Sequence, residues 1–355
     1  MPLVAHSNLP SFSRVASDGH EVLSAERAAA QDMRELHIGL LNMMPDAALQ
    51  ATERQFLRLI GSSNRIVQFY IHPFTIDGVE REGEAKVHVE AHYEDFDALS
   101  DEGLDALIIT GANVTEADIT NEGFFRPMTH VMEWATENVC SVFCSCLSSH
   151  GAFKHFHGID RTHLDEKQWG VYSHRVMPDV HPLFSGTNTR FDVPHSRFND
   201  VPQATMEAAG LRVLATSEEA GVLAATSPDG WRYIYFQGHP EYDVTSLLKE
   251  YKREVYRFVD KERDTYPPFP EHYFTPSAEA VFNDFRGVLE QALAKGQSLP
   301  DFPETEVTPL LDNTWADTAK AVFNNWLGLV YQLTDYDRRI PFMRGIDPRN
   351  PLALG

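Results

Sequence analysis

Residues 142–153 read VFCSCLSSHGAF, an apolar run that gives way at Cys146 to small polar residues. An apolar run of this length is typical of a buried strand, and the residues from 147 to 157 have a helical pattern. Strands that pass directly into helices are the units from which parallel sheets are built. The stretch therefore predicts an α/β fold, with Cys146 on the turn between strand and helix.

The same alternation continues on the N-terminal side. Strand-like runs occur in LHIGLLN, at 65–74, at 104–113 and at 139–145, and a helical pattern follows the first run in MMPDAALQATERQFLRLIGSS. Alternating strands and helices predict a mostly parallel sheet with helices on both faces. Ligand sites in such sheets lie at the carboxyl ends of the strands.

The second half contains shorter strand-like pieces, which we predict to extend the same sheet. They are followed by helical patterns at about 244–262 and 277–295 and in WADTAKAVFNNWLGLVYQL. We predict one α/β domain over 36–335, an N-terminal arm (1–35) laid over it and a C-terminal tail (336–355). The strand-like pieces are RFDVPHS, LRVLATS, GVLAATS and WRYIYFQ.

Composition excludes some classes of function. The net charge of -22 argues against a protein that binds nucleic acid or an anionic membrane. No stretch is apolar enough for a membrane span or a signal peptide, so we expect a cytoplasmic protein. The three cysteines lie within residues 140–146, which is too crowded for a disulfide framework and fits a reducing compartment.

Cys146 has the position of a nucleophile. A tight turn into a helix needs small neighbours, and the first helical N–H groups can stabilise a thiolate or an oxyanion. Cys140 and Cys144 lie inside the strand run, where we expect them to be packed. The alternative for any one cysteine is a buried small side chain with no chemical role.

A cysteine nucleophile needs a base, and the best candidate is His239 in QGHPEYD. It follows the strand-like WRYIYFQ, and Glu241 lies two residues further on, on the same side of an extended segment. Glu241 can therefore orient the imidazole. The alternative is a solvent-exposed His–Glu pair.

The pattern is not that of a metal site. Zinc sites combine two pairs of ligands, and these cysteines have no second pair elsewhere in the chain. No H-E-x-x-H occurs either, so we predict no metal. For His150, His155 and His157 on the following helix we expect exposed or capping roles. The turn ITGAN at 109–113 forms a second wall, where the N–H of Gly111 joins that of Leu147 in an oxyanion hole.

Taken together, these segments resemble the homoserine O-succinyltransferase family, which has the class I glutamine amidotransferase-like fold. The motifs are NMMP with TERQFLRL, DALIITGA, the Cys146 turn, EKQWGVYSH, VPHSRF and GHPEYD, and the similarity covers nearly the whole chain. It implies a Cys146 thioester, His239 as base and Glu241 as its partner. It also implies that Lys167 and Ser196 contact the substrate and that Arg253 binds the amino-acid carboxylate.

Three positions depart from the family pattern. Succinyl-transferring members have two lysines after NMMP, where this chain has Asp46 and Ala47. The position that is Gly for succinyl and Glu for acetyl is Thr115 here, with Glu116 beside it. We therefore expect an acyltransferase for homoserine that favours succinyl only slightly over acetyl.

The expected activity belongs to methionine biosynthesis and uses acyl-CoA and homoserine as substrates, without a cofactor. We expect a homodimer, although no pattern in the sequence indicates the oligomeric state. Two alternatives stay open: an amidase of the glutamine amidotransferase type and an inactive binding protein of the same fold.

Overall fold

The computed structural model describes residues 3–63, 67–179 and 181–354. In these residues eleven strands form one sheet. The strands are β1 (Leu3–Ala5), β2 (Val22–Ser24), β3 (Glu35–Leu41), β4 (Gln68–Phe74), β5 (Ala106–Ile109), β6 (Ser141–Ser145), β7 (Thr162–Val176), β8 (Arg190–Asp200), β9 (Arg212–Ser217), β10 (Gly221–Thr226) and β11 (Tyr233–Phe236).

The sheet has the order β2-β1-β4-β3-β5-β6-β11-β10-β9-β7-β8. From β2 to β11 neighbouring strands run parallel. From β11 to β8 they run antiparallel. The prediction of a mostly parallel sheet that the second half extends is confirmed, and β6 lies at its centre.

The described residues contain twelve α-helices, which include those that cover both faces of the parallel half. They are α1 (Pro10–Ser17), α2 (Ala25–Ala29), α3 (Asp46–Gly61), α4 (Gly83–His92), α5 (Phe96–Glu102), α6 (Phe125–Asn138), α7 (Leu147–His157), α8 (Gln203–Ala208), α9 (Ser246–Val259), α10 (Pro276–Lys295), α11 (Glu304–Val307) and α12 (Ala316–Leu333).

Two apolar cores lie on opposite faces of the sheet. Successive residues of a strand point to opposite faces, so Phe143 of β6 packs in one core with Trp326 of α12, and Cys144 packs in the other. A third cluster joins α9 and α10 around Tyr251 and Phe282. The central strand is thus held from both sides, which fixes the position of the turn that follows it.

The N-terminal segment differs from the expected arm. Instead of lying over the domain, it adds β1 and β2 to the edge of the sheet, where Leu3 pairs with Phe69 of β4. Strands of three residues are too short to give a recognisable sequence pattern. In the tail, Phe342 is buried and Arg338 donates to the backbone oxygen of Glu102.

The helix predicted over 147–157 is confirmed to the residue, whereas β7 was not among the predicted strands. Its first half is exposed and polar, so no alternating pattern identifies it. Within the described segments, no helix has both the length and the apolar character that a bilayer span needs.

Candidate active site

Cys146 is the single residue between β6 and α7, and its backbone is strained. Its φ of 53° and ψ of −110° lie in a region that residues other than glycine rarely adopt. Its N–H donates to the carbonyl oxygen of Phe236 at 2.6 Å, which holds the turn against the neighbouring strand. Strain of this kind persists where surrounding contacts enforce it and is concentrated at functional positions.

The small residues of the turn bond to the ends of the central strands. Ser148 Oγ donates to the carbonyl oxygens of Ile109, at 2.8 Å, and Ser145, at 3.0 Å. Ser149 Oγ donates to the carbonyl oxygen of Cys144 at 2.9 Å. These bonds fix the start of α7 behind the cysteine.

The other two cysteines are fully buried, as expected from their place in the strand run. Burial raises the pKa of Cys140 to about 12 and also raises the pKa of Cys144. Neither forms a thiolate readily. Of the three cysteines, Cys146 alone is partly exposed.

His239 and Glu241 form the expected pair, and both are buried. Nδ1 of His239 lies 2.8 Å from Oε1 of Glu241, and the imidazole also interacts electrostatically with Cys146. Burial alone would lower the pKa of His239, but the charges of Cys146 and Glu241 and the bonds to them hold that pKa well above its ordinary value. The arrangement favours an imidazolium facing the sulfur of Cys146.

The pair of His239 and Glu241 is held by its neighbours. The N–H of His239 donates to the carbonyl oxygen of Pro194 at 2.8 Å, and its ring stacks on Tyr242 with centroids 4.3 Å apart. Oε1 of Glu241 accepts a second hydrogen bond from Ser145 Oγ at 3.1 Å. The imidazole therefore has a fixed orientation before any substrate binds.

The expected oxyanion hole lies beside the nucleophile. Leu147 is the first residue of α7, so its N–H has no partner within the helix. A Cβ placed on Gly111 would lie 3.7 Å from the Cβ of Cys146, so this backbone adjoins the thiol. The geometry is compatible with the predicted roles of both N–H groups.

Lys167 and Ser196 meet at a residue that sequence reasoning missed, Glu250 of α9. Oε2 of Glu250 accepts from Ser196 Oγ at 2.6 Å and from Lys167 Nζ at 3.0 Å. Oε1 accepts from the hydroxyl of Tyr242 at 2.8 Å. The sequence carries no signal for this role, because only tertiary contacts connect Glu250 with Lys167 and Ser196.

Arg253 lies one turn after Glu250 on α9. Its side chain is 62% exposed, and its Nε lies 3.5 Å from a carboxylate oxygen of Glu254. In the described part of the chain it contacts neither Lys167 nor Ser196. The structure thus leaves Arg253 exposed one turn beyond Glu250, without a contact to the other predicted substrate residues.

The loop with Thr115 is held from two sides. The N–H groups of Thr115 and Glu116 donate to Oε1 of Glu122 at 2.6 and 2.7 Å. On the other side, Nη2 of Arg161 donates to the carbonyl oxygen of Glu116 at 2.9 Å. Burial lowers the pKa of Arg161, whereas nearby negative charges raise it. Because Cys146 is among these charges, the guanidinium lies within electrostatic range of Cys146.

Asp46, which replaces a family lysine, is paired with Arg81. Nη1 of Arg81 lies 3.2 Å from Oδ1 of Asp46, and Nη2 donates to the carbonyl oxygen of Asn42 at 2.9 Å. Arg81 therefore supplies a cation next to the NMMP turn, but its hydrogen bonds are made to the turn itself.

The expectation for His150 is wrong. It is buried and its Nε2 bonds to Oε1 of Gln237 at 2.9 Å, because this face of α7 packs on the sheet. Burial lowers its pKa to about 3. His155, by contrast, pairs near the surface with Glu133.

Metal chemistry is not suggested at this site. In the described residues, two groups of His and Glu side chains could hold a metal ion, and neither includes Cys146, His239 or Glu241.

An α/β sheet with a strained cysteine turn and a buried His–Glu pair is typical of enzymes with a cysteine nucleophile. The chain belongs to the homoserine O-succinyltransferase family, whose model matches residues 2–336. This confirms the resemblance and the expected class of enzyme, an acyltransferase.

The relatives are similar over the full length. The chain is 60% identical over 354 residues to homoserine O-succinyltransferase of Methylococcus capsulatus, with 100% of both chains covered. It is 56% identical to that of Methylobacter tundripaludum, with the same coverage. A solved glutamine amidotransferase from Thermotoga maritima is 14% identical with a TM-score of 0.39, over 84% of this chain and 98% of that chain.

Proposed function

We propose that the protein transfers the succinyl group of succinyl-CoA to the hydroxyl of homoserine through a thioester on Cys146, a step of methionine biosynthesis in the cytoplasm. The observation that carries this proposal is the buried, hydrogen-bonded pair of His239 and Glu241, which interacts with Cys146 at the strand-to-helix turn. The names of the full-length relatives support succinyl as the acyl group and homoserine as the acceptor.

In the first half-reaction the thiolate of Cys146 attacks the thioester carbonyl of the donor. The N–H groups of Leu147 and Gly111 receive the negative charge that forms on the carbonyl oxygen. The bond to the CoA sulfur breaks, and the departing thiolate takes the proton of the His239 imidazolium. His239 is then neutral and ready to act as a base. The donor is a substrate, so this chemistry needs no resident cofactor.

In the second half-reaction the hydroxyl of homoserine attacks the Cys146 thioester. His239 takes the hydroxyl proton while Glu241 stabilises the imidazolium that forms. The new ester bond forms, the bond to sulfur breaks, and the thiolate of Cys146 returns. The same residues serve both half-reactions, and His239 gives up a proton in the first and takes one up in the second.

The acceptor binds on the side of α9. Lys167 and Ser196 lie together at Glu250, which suits contacts to the polar groups of an amino acid. Arg253 is exposed and long enough to close on the carboxylate of homoserine, for which a guanidinium is well shaped. Glu250 is a positioning residue in this scheme.

The distal carboxylate of the succinyl group binds to Arg161. Nε and Nη1 of Arg161 are buried and have no hydrogen-bond partner among the described residues. Arg161 also lines a cavity of about 290 Å³ beside the loop that contains Thr115. Buried N–H groups of a cation need an acceptor, and a carboxylate supplies one. Arg161 thereby replaces the two lysines that are absent after NMMP.

The test is intact-mass analysis after incubation with succinyl-CoA without homoserine. We expect an increase of one succinyl group on the wild type and on Cys144→Ala, and none on Cys146→Ala. Homoserine added afterwards should discharge the adduct and yield the ester. An adduct that persists on Cys146→Ala and disappears on Cys144→Ala would refute the assignment.

The two alternatives have their own readouts. An amidase would release ammonia from glutamine, which a glutaminase assay measures. An inactive binding protein would show a Cys146 that reacts with iodoacetamide no faster than an exposed cysteine in a peptide across the pH range. If the protein is an acyltransferase, the glutaminase assay should detect no ammonia. Cys146 should then react with iodoacetamide faster than an exposed cysteine in a peptide.

A further inference from the structure

His6, His72 and Glu94 form a cluster that the proposed reaction does not use. One ligand atom from each of them lies within 4.8 Å of the others. His6 directly follows β1, His72 belongs to β4, and Glu94 is held beside β4 because its N–H donates to the carbonyl oxygen of Pro73 at 2.8 Å. The cluster joins three distant segments, so no spacing rule could find it in the sequence.

The hydrogen bond of His6 determines which of its nitrogens carries the hydrogen. Nδ1 lies 3.2 Å from the carbonyl oxygen of Val4, and a carbonyl oxygen can only accept. The hydrogen is therefore on Nδ1, and Nε2 presents a lone pair. This Nε2 is buried and has no partner among the described residues.

The state of His72 follows from its neighbours on the other side. Nη1 of Arg338 lies 2.6 Å from Nδ1 of His37, and a guanidinium can only donate, so this nitrogen is an acceptor. Nε2 of His72 lies 2.9 Å from the same nitrogen and must carry a hydrogen to donate. In a neutral His72, Nδ1 is then a lone pair.

That lone pair faces a carboxylate. Nδ1 of His72 lies 2.8 Å from Oε1 of Glu94, and two acceptors at this distance need a cation between them. A proton on His72 satisfies this pair but leaves the buried Nε2 of His6 without a partner. A metal ion satisfies all three atoms.

We propose that His6 Nε2, His72 Nδ1 and the Glu94 carboxylate bind a divalent transition-metal ion, with Zn²⁺ as the best fit. Two histidines and one carboxylate are a zinc ligand set. Each imidazole is oriented by a bond from its other nitrogen, to Val4 and to His37, as is usual around such sites.

The site has a structural role. His6 follows the short strand β1, which joins the sheet beside β4 at Leu3 and Phe69. A metal ion shared between His6 and the β4 residue His72 fastens this N-terminal segment to the sheet. It lies apart from β6, so acyl transfer itself does not pass through it.

The experiment uses the full-length protein after dialysis against a chelator. Zn²⁺ is added, the excess is removed, and bound zinc is counted by mass spectrometry, with Co²⁺ absorption as a probe of the ligands. We expect one ion per chain. The affinity for zinc should fall at least about 100-fold in His6→Ala and in Glu94→Gln, because removing a metal ligand weakens binding more than removing a residue that only hydrogen-bonds to a ligand. Zinc should raise the melting temperature of the wild type and not that of His6→Ala.

Two matched variants locate the ion. His272 belongs to the other candidate group, with Glu219 and Glu271, all exposed, and His272→Ala should bind zinc like the wild type. Cys146→Ala should also keep the ion, which excludes the reactive thiol as its ligand. No binding in the wild type, or binding lost in either control and kept in His6→Ala, would overturn the proposal. None of these results depends on acyl transfer.

Discussion

Ser196 Oγ lies 2.6 Å from Oε2 of Glu250, and this bond links Ser196 to the surroundings of His239. The other oxygen of the same carboxylate accepts from Tyr242, whose ring stacks on His239. Glu250 therefore orders two predicted substrate residues, Ser196 and Lys167, and supports one face of the imidazole. In the proposed reaction, acceptor binding and catalysis therefore depend on the same buried charge.

We predict that Glu250→Gln weakens homoserine binding. The amide keeps the shape but leaves the ammonium of Lys167, 19% exposed, without its counter-ion. Breaking a buried ion pair costs about 3 kcal/mol, so the free energy of unfolding should fall by about that amount. The KM for homoserine should rise about 10-fold or more, because about 1.4 kcal/mol corresponds to each factor of ten. Urea unfolding and steady-state kinetics measure the two effects.

The matched control is Glu304→Gln. Glu304 pairs with Lys252 nearer the surface, with side chains 34% and 36% exposed. Such a pair contributes less than about 1 kcal/mol, and the KM for homoserine should not change. An equal KM in Glu250→Gln and Glu304→Gln would show that Glu250 has no part in acceptor binding.

The same carboxylate should make stability depend on pH in the acid range. Burial would raise the pKa of Glu250, but the charge of Lys167 and the hydrogen bonds hold it below its ordinary value of 4.5. A lowered pKa contributes stability that is complete above the unfolded value and is lost as the pH falls through the folded one. The difference in unfolding free energy between wild type and Glu250→Gln should be constant above pH 4.5 and shrink below it.

Denaturant unfolding at a series of pH values gives this difference. Subtracting the unfolding free energy of the variant from that of the wild type removes the contribution of the other carboxylates. A difference that grows as the pH falls would contradict the assigned direction.

The central part of the fold could be predicted because each of its elements has its own pattern. The strand and helix around Cys146 are long enough to show their periods, and His-x-Glu after a strand brings His239 and Glu241 to one side. The edge strands β1 and β2 were missed because three residues carry no period. The role of Glu250 was missed because only tertiary contacts connect it with Lys167 and Ser196.

We predict that Gly238→Ala destabilises the protein and slows acylation. A Cβ at Gly238 would lie 2.7 Å from Nε2 of His195 and 2.8 Å from Cδ1 of Leu223, both buried. Overpacking of this kind costs about 1–3 kcal/mol and shifts the backbone next to His239. Thermal unfolding and the rate of Cys146 succinylation measure the two effects.

Gly287→Ala is the matched control for this substitution. Gly287 lies on the exposed face of α10, and no atom lies within 4 Å of its Cβ position. The free energy of unfolding should rise by about 0.5–1 kcal/mol there, since alanine is the better helix former. If both variants behaved alike, the close packing at Gly238 would have no energetic consequence.

The last prediction tests Arg161 as the partner of the succinyl carboxylate. Arg161→Gln should reduce the rate of Cys146 acylation by succinyl-CoA about 10- to 100-fold, the value of a hydrogen bond between charged groups. Butyryl-CoA has the same chain length without the carboxylate, so its rate should change little. Loss of the bond to Glu116, which supports the Thr115 loop, would slow both donors alike, and the ratio of the two rates separates these effects. Lys154→Gln removes a cation from the same cavity, where it pairs with Asp160, and should leave the ratio unchanged. A ratio that changes in Lys154→Gln and not in Arg161→Gln would assign the carboxylate to the lysine.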